Sequence, residues 1–210
     1  LASSCIYPKN TPQPMKEEYL LSDYLEKTNE AYALAKICGI KLCNYYNKEY
    51  GTNYMSAMPC NLYGIGDNYH PKNAHVIPML IRRFHEAKEQ NLPETTVWGT
   101  GTPRREFMFA DDLAEAVVYL MENKDAKDIG EFINIGSGFD MPISQIIELI
   151  KETVGYKGKL VYDKTKPDGT MLKLMDDSKI NQLGWKAKTE LKDGLKIAYN
   201  DFLNKFKDIK

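Results

Sequence analysis

Short apolar runs alternate with amphipathic segments of a dozen residues or so along this chain, and that alternation restricts what it can fold into. The clearest case is "EFINIG", which lies between "DDLAEAVVYLMEN" and "QIIELIKETVG", both apolar at helical spacing. Further strand-like runs in "TNYMSAMPCNLYG" and "KLVYD", and a closing helical pattern in "ELKDGLKIAYNDFLNKF", repeat the scheme. Strands separated by helices predict an α/β class with parallel pairing. The 210 residues suit one large or two small domains, and a hydrophobic fraction of 43% supplies a core.

Local signals refine the scheme. "LASSCIY" reads as a strand end entering a loop, and "NTPQPMKEEY" as irregular chain. From Thr28 or Asn29 as cap, with Glu30 in the first turn, Ala31, Leu34, Ala35, Cys38 and Leu42 recur at helical spacing until Gly51. "TNYMSAMPCNLYG" is expected to deliver Asn61 to a turn. After a loop holding Gly64, Gly66, His70 and Pro71, a second helix is expected with Asn73 as its cap and Pro78 in its first turn. "TTVWGTGTPRREFMF" reads as two short strands around a Gly-rich turn. Asp111 and Asp112 open the next helix, and Ser144 is expected to cap another.

Composition excludes several classes. A net charge of −1 gives no broad basic field for nucleic acid or membrane, although Arg82, Arg83, Arg104 and Arg105 form local clusters suited to phosphate. There is no apolar span of about 18 residues and no signal-peptide pattern. The four cysteines (Cys5, Cys38, Cys43, Cys60) lack metal-type pairing, and Cys38 with Cys43 is too widely spaced for a redox CxxC. No metal is expected, and reduced thiols in a cytoplasm are the simpler reading. The first residue is Leu rather than Met, so the chain is expected to begin inside something longer.

Tyr32 and Lys36 lie four positions apart on the first predicted helix, hence on one face, where an ammonium favours the phenolate. Such a tyrosine can hand a proton to a carbonyl oxygen as hydride reaches its carbon. Spacing alone is weak evidence, because Tyr162 and Lys166 repeat it in "VYDKTKPDG", where Pro167 and Gly169 favour a loop over a helix. Context separates the two pairs. Ser3 and Ser4 end a predicted strand about 28 residues before Tyr32, so a serine hydroxyl can polarise the same carbonyl.

Serine, tyrosine and lysine in that order resemble the short-chain dehydrogenase/reductases, in their extended form acting on nucleotide sugars. "SSCIYP", "EAYALAK", "MPCNLYG", "HPKNAHVIP", "LIRRFHEA", "WGTGTPRREF" and "KPDGT" carry the resemblance over nearly the whole chain, toward the GDP-L-fucose synthase family. It implies the C-terminal portion of a Rossmann-type parallel sheet plus a smaller α/β substrate domain. It also implies an NADPH-dependent enzyme that epimerises C3 and C5 of GDP-4-keto-6-deoxy-D-mannose and then reduces C4. Tyr32, Lys36 and Ser3 would serve the reduction, with Cys5 as base and His75 as acid for epimerisation. Thiol and imidazole both exchange protons near neutrality with small shifts.

The same resemblance assigns cofactor contacts to Lys36, Pro59, Cys60, Asn61, Leu62 and His75, and nucleotide-sugar contacts to Arg83, Trp98, Arg105, Asp168 and Lys173. Arginine suits diphosphate by forked donation, tryptophan offers a face for a base or sugar, and a carboxylate can bind a guanine edge or a hydroxyl. Without the resemblance, Cys5 reads as a small buried hydrophobe and His75 as a capping or loop histidine. Residues 1–63 and 111–135 are expected to complete the cofactor domain, and 64–110 and 136–210 to form the substrate domain. One element is missing. No strand, Gly-rich phosphate turn and helix opens the chain, and the GxG triplets in "YGIGD", "WGTGT" and "IGSGF" stand in the wrong context for a pyrophosphate grip. Residues 1–210 by themselves are therefore expected to bind NADPH poorly. A related GDP-keto-sugar such as a keto-heptose, a simple 4-reductase, and a non-catalytic nucleotide-sugar-binding or assembly module remain open. A homodimer is expected, with the helix starting in "EAYALAK" as a possible face.

Overall fold

The computed structural model describes residues 1–166 and 168–206, so Pro167, one of the loop signals between Tyr162 and Gly169, lies outside the described residues. In chain order the elements are α1 (Glu30–Tyr50), β1 (Ala57–Pro59), β2 (Asn61–Tyr63), α2 (Val76–Glu89), β3 (Glu94–Trp98) and β4 (Arg104–Phe109). There follow α3 (Ala110–Asn123), α4 (Ala126–Ile129), β5 (Ile133–Ile135), β6 (Asp140–Pro142), α5 (Ile143–Val154), β7 (Lys159–Asp163), β8 (Leu172–Lys173), α6 (Ser178–Gln182) and α7 (Leu191–Phe206). The chain forms two compact units. The first contains Leu1–Leu62, Glu106–Asp140 and Lys173–Lys188; the second contains Tyr63–Arg105, Met141–Leu172 and the residues from Thr189 onward. Strands β2, β4 and β6 are ordered β2-β4-β6 with β8 paired to β4.

In the first unit β1 and β5 pair in parallel, Ala57 opposite Ile133 and Pro59 opposite Ile135. Ile133 and Ile135 are fully buried, as an apolar run flanked by helices predicts. The core around them takes Met58, Ile37 and Ile40 from one side of the sequence and Leu113, Leu120 and Ile129 from the other. Helix α1 departs from expectation. It buries Ala33, Ile37 and Ile40, while Ala31, Leu34, Ala35, Cys38 and Leu42 are exposed. Apolar residues occupy both stripes, so periodicity alone selects the wrong one. Gly51 ends the helix as predicted, at φ 64° with its N–H on the Asn47 carbonyl.

"LASSCIY" is not a strand end. Ser3 is extended, but Ser4–Ile6 form a 3-10 turn, because the Ser3 hydroxyl accepts from the Cys5 N–H and closes the turn locally. Ala2 donates its N–H to the Ala57 carbonyl at 2.9 Å, and the Tyr7 hydroxyl donates to Asn134 Oδ1 on β5 at 2.6 Å. Of the residues expected in the substrate domain, 106–110, 136–140 and 173–188 fall in the first unit. Met15 and Met175 form a parallel bridge, and Ile180 and Trp185 join the core.

In the second unit β3 and β7 pair in parallel from Glu94 opposite Lys159 to Trp98 opposite Asp163. Helices α2, α5 and α7 pack on one another. Phe84 stacks on Tyr156 at 6.0 Å, and the Phe202 ring meets His85 at 5.1 Å and Tyr69 at 4.9 Å. Each buried aromatic of this kind stabilises the unit by about 2 kcal/mol relative to exposure. Two caps differ from expectation. His75, not Asn73, is the residue before α2, and α5 starts at Ile143 after Pro142, with Ser144 already inside its first turn. The Ser144 N–H reaches the Gly101 carbonyl at 2.9 Å and so fixes the Gly-rich turn between β3 and β4. No helix among the described residues is long and apolar enough to cross a membrane.

Candidate active site

In the first unit, two hydrogen bonds tie the start of α1 to the opening segment of the chain. Asn29 Nδ2 approaches Cys5 Sγ at 3.9 Å, and Lys36 Nζ donates to the Leu1 carbonyl at 3.1 Å. Tyr32 stands between these attachment points in sequence, half exposed, with the Lys36 ammonium 5.7 Å from its ring centroid. Lys173 Nζ reaches Cys5 Sγ at 3.8 Å. Ser3, Cys5, Tyr32, Lys36 and Lys173 are thus gathered in one unit by the packing of the Ser4–Ile6 turn on α1. A sulfur carrying negative charge would be received by both the amide and the ammonium. The Ser3 hydroxyl, accepting from the Cys5 N–H at 3.4 Å, keeps its own hydrogen available to donate.

Pro59, Cys60, Asn61 and Leu62 run from the end of β1 into β2. Cys60 turns its thiol inward, where burial, reinforced by the Glu106 carboxyl, pushes it well up and leaves it inert. Asn61 Nδ2 donates to the Glu106 carbonyl at 2.9 Å. Glu106 itself was missed by sequence reasoning. Its Oε1 accepts from the Ser137 and Gly138 N–H groups at 2.7 and 3.1 Å, and its Oε2 from the Met175 N–H at 3.0 Å. Burial raises it to about 7, against the lowering effect of those three donors. A Cβ at Gly136 would run into this carboxylate. The signal was present in "RREF", since a strand that sends Arg105 and Phe107 to one face sends Glu106 to the other.

The second unit gathers Arg83, Trp98, Arg105 and Asp168. Arg83, its Nη1 on the Thr96 carbonyl at 2.8 Å, lies with Cζ 5.8 Å from the Trp98 ring centroid, and Trp98 is 56% exposed. Asp168 takes the Thr100 N–H on Oδ1 and the Thr100 hydroxyl on Oδ2, both at 2.7 Å. Those bonds, with Arg105 nearby, hold its carboxyl below the usual range. Burial lowers both Arg83 and Arg105 from the ordinary guanidinium value. His75, exposed at the head of α2, belongs to this unit, and its carbonyl accepts from the Met79 N–H. Tyr162 lies on β7 and Lys166 in the turn beyond it, so that second Tyr/Lys pair is not helical.

Two of the three GxG triplets are thereby explained. Gly136–Gly138 wraps Glu106 and Gly99–Gly101 wraps Asp168, so backbone N–H groups of the kind that cradle phosphate hold carboxylates of the chain itself. The donor set at the head of α1 has the chemistry to fit a cofactor's hydroxyls. Tyr32 and Lys36 offer a phenol and an ammonium on one exposed helix turn, beside the Ser3 hydroxyl turn. Among the described residues no group of three or more His, Cys, Asp or Glu is placed to hold a metal ion.

In this α/β fold a Tyr-x-x-x-Lys helix packs on a serine-bearing turn, and residues 1–136 match the NAD dependent epimerase/dehydratase family. The chain belongs to that family. It is 57% identical over 199 residues to the probable GDP-L-fucose synthase 1 of Oryza sativa subsp. japonica, a match covering 95% of this chain and 60% of the relative. The structure of a GDP-6-OMe-4-keto-L-xylo-heptose reductase from C. jejuni superposes with a TM-score of 0.91 at 38% identity, covering 97% of this chain and 69% of that one. A GDP-mannoheptose C4 reductase from Campylobacter jejuni with NADP bound superposes at 0.86 and 38% identity, covering 96% and 68%. The chain spans 60 to 65% of the length of the first curated relatives it matches.

Proposed function

We propose that the intact protein is a cytoplasmic GDP-L-fucose synthase, converting GDP-4-keto-6-deoxy-D-mannose to GDP-L-fucose with NADPH. The observation that carries this reading is the stapling of the Ser3–Cys5 turn to the head of α1, which puts a thiol, a hydroxyl and a Tyr/Lys pair in one unit. The first curated relatives carry the same activity in their names, and a structural neighbour holds NADP.

The C4 ketone acidifies the hydrogens on C3 and C5. Cys5 removes each proton as thiolate, giving up the first to solvent before it takes the second, with Asn29 and Lys173 receiving the charge on sulfur. His75 is assigned the return of a proton on the opposite face, on its chemistry. Bound NADPH would supply the hydride at C4, where Tyr32 gives its phenolic proton to the C4 oxygen and Ser3 donates a hydrogen bond to that oxygen. Lys36 stabilises the resulting phenolate and holds the nicotinamide ribose, along the segment Pro59–Leu62. Arg83, Trp98 and Arg105 bind the GDP moiety. Asp168 acts there chiefly by holding Thr100. The exposed apolar stripe of α1, Leu34 to Leu42, is assigned to a homodimer face. No nucleic-acid or membrane partner is invoked.

A GDP-keto-heptose is the second substrate reading, favoured by the heptose reductases among the structural neighbours. Cys5 and His75 speak for an enzyme that epimerises rather than only reduces. In deuterated water the intact protein is expected to label C3 and C5 of the keto-sugar. Cys5→Ser should abolish labelling while retaining measurable reduction, and Tyr32→Phe should retain labelling while slowing reduction by about a hundredfold or more. No exchange with any GDP-keto-sugar would sink the epimerase assignment.

A further inference from the structure

The turn that leaves β7 is built to present a cation. Trp98, last in β3, pairs in register with Asp163, last in β7, and the Gly99 N–H donates to the Asp163 carbonyl at 2.9 Å. Asp163 Oδ1 then accepts from the Thr165 N–H at 3.0 Å and the Thr165 hydroxyl at 2.6 Å, while the Lys166 N–H closes on the Asp163 carbonyl at 3.3 Å. Beyond Lys166, Asp168 is pinned by Thr100. Anchored on both sides, Lys166 sets its Nζ 5.6 Å from the Trp98 ring centroid, the ring that Arg83 approaches at 5.8 Å.

Two cations drawn to one half-exposed indole repel each other, and the ring offsets only part of that cost. Lys166 joins none of the ion pairs found among the described residues, and the nearby Asp163 carboxylate, which feels its charge, is held chiefly by Thr165. An anion with charge on two adjacent groups relieves the repulsion and uses both cations, which matches a diphosphate better than a base or a neutral sugar. We propose that Lys166 is a diphosphate-binding residue that works with Arg83, and that Trp98 spaces the two cations. This rests on the GDP-sugar reading above and adds to it a residue that the family resemblance does not assign.

The test is calorimetric titration of the intact protein with GDP and with GMP. Lys166→Met keeps an aliphatic chain over the indole and removes the charge. It should raise the Kd for GDP about tenfold, raise that for GMP clearly less, and flatten the salt dependence of GDP binding, whereas Lys166→Arg should recover GDP affinity to within about threefold. Equal weakening of GMP and GDP, or a change in GDP affinity below twofold, would overturn the role of Lys166. Failure of the parent protein to bind GDP at all would instead overturn the GDP-sugar reading. Lys166 is exposed, so thermal melting of the variant should match the parent and exclude misfolding as a cause.

Discussion

Glu106 concentrates a conflict between burial and hydrogen bonding in one side chain. Three backbone N–H groups favour its carboxylate, yet burial raises it from 4.5 to about 7. A carboxyl raised on folding contributes stability that is fully present below its unfolded value and is lost as pH rises through the folded one. The first unit should therefore lose up to about 3 kcal/mol between pH 4.5 and pH 7 from this group. Urea unfolding followed by the buried Trp185, across that range, should show the loss in the parent and a much flatter pH response in Glu106→Gln. The glutamine amide would face the Met175 N–H donor to donor, so that variant should also be less stable at low pH, by about 1–3 kcal/mol. An identical pH slope in both proteins would contradict the assignment.

At the scale of elements, α1 carries two apolar stripes with different roles. Ile40 is buried, so Ile40→Ala should cost about 2–5 kcal/mol in urea unfolding. Leu42 is 57% exposed, so Leu42→Asp should leave folding nearly intact and shift a dimer toward monomer in sedimentation experiments. An unchanged sedimentation coefficient would remove α1 from the interface. The turn between β3 and β4 is equally specific. Gly101 has φ 77°, and an added Cβ would lie 2.8 Å from the Tyr162 ring and 3.0 Å from Ser144 Cβ. Gly101→Ala should therefore destabilise the second unit by about 1–3 kcal/mol and weaken GDP binding. The strands β5 and β7 and helices α1 and α7 were legible in the sequence because period and length distinguish them. The buried stripe of α1 was not, since Leu34 and Leu42 compete with Ile37 and Ile40 on equal terms. Nor were the uses of the GxG triplets, because the carboxylates that occupy two of them, Glu106 and Asp168, lie about 30 and 70 residues away in sequence. Tyr32, Lys36, Ser3 and Cys5 were legible through their motifs, whereas Asn29 and Lys166 emerged only from contacts.

At the scale of the whole molecule, the two units divide the chemistry. The thiol, phenol and serine turn lie in the first, and the arginines, indole and Lys166 in the second. Two GxG turns are committed to internal carboxylates and so are not free to grip a pyrophosphate. Proton NMR of the product formed in deuterated water separates a protein that both epimerises and reduces from one that only reduces. With GDP-4-keto-6-deoxy-D-mannose and NADPH, the intact protein should yield GDP-L-fucose carrying deuterium at C3 and C5 and hydrogen from the cofactor at C4. A product reduced at C4 with no deuterium at C3 or C5 would instead identify a simple reductase and exclude epimerisation.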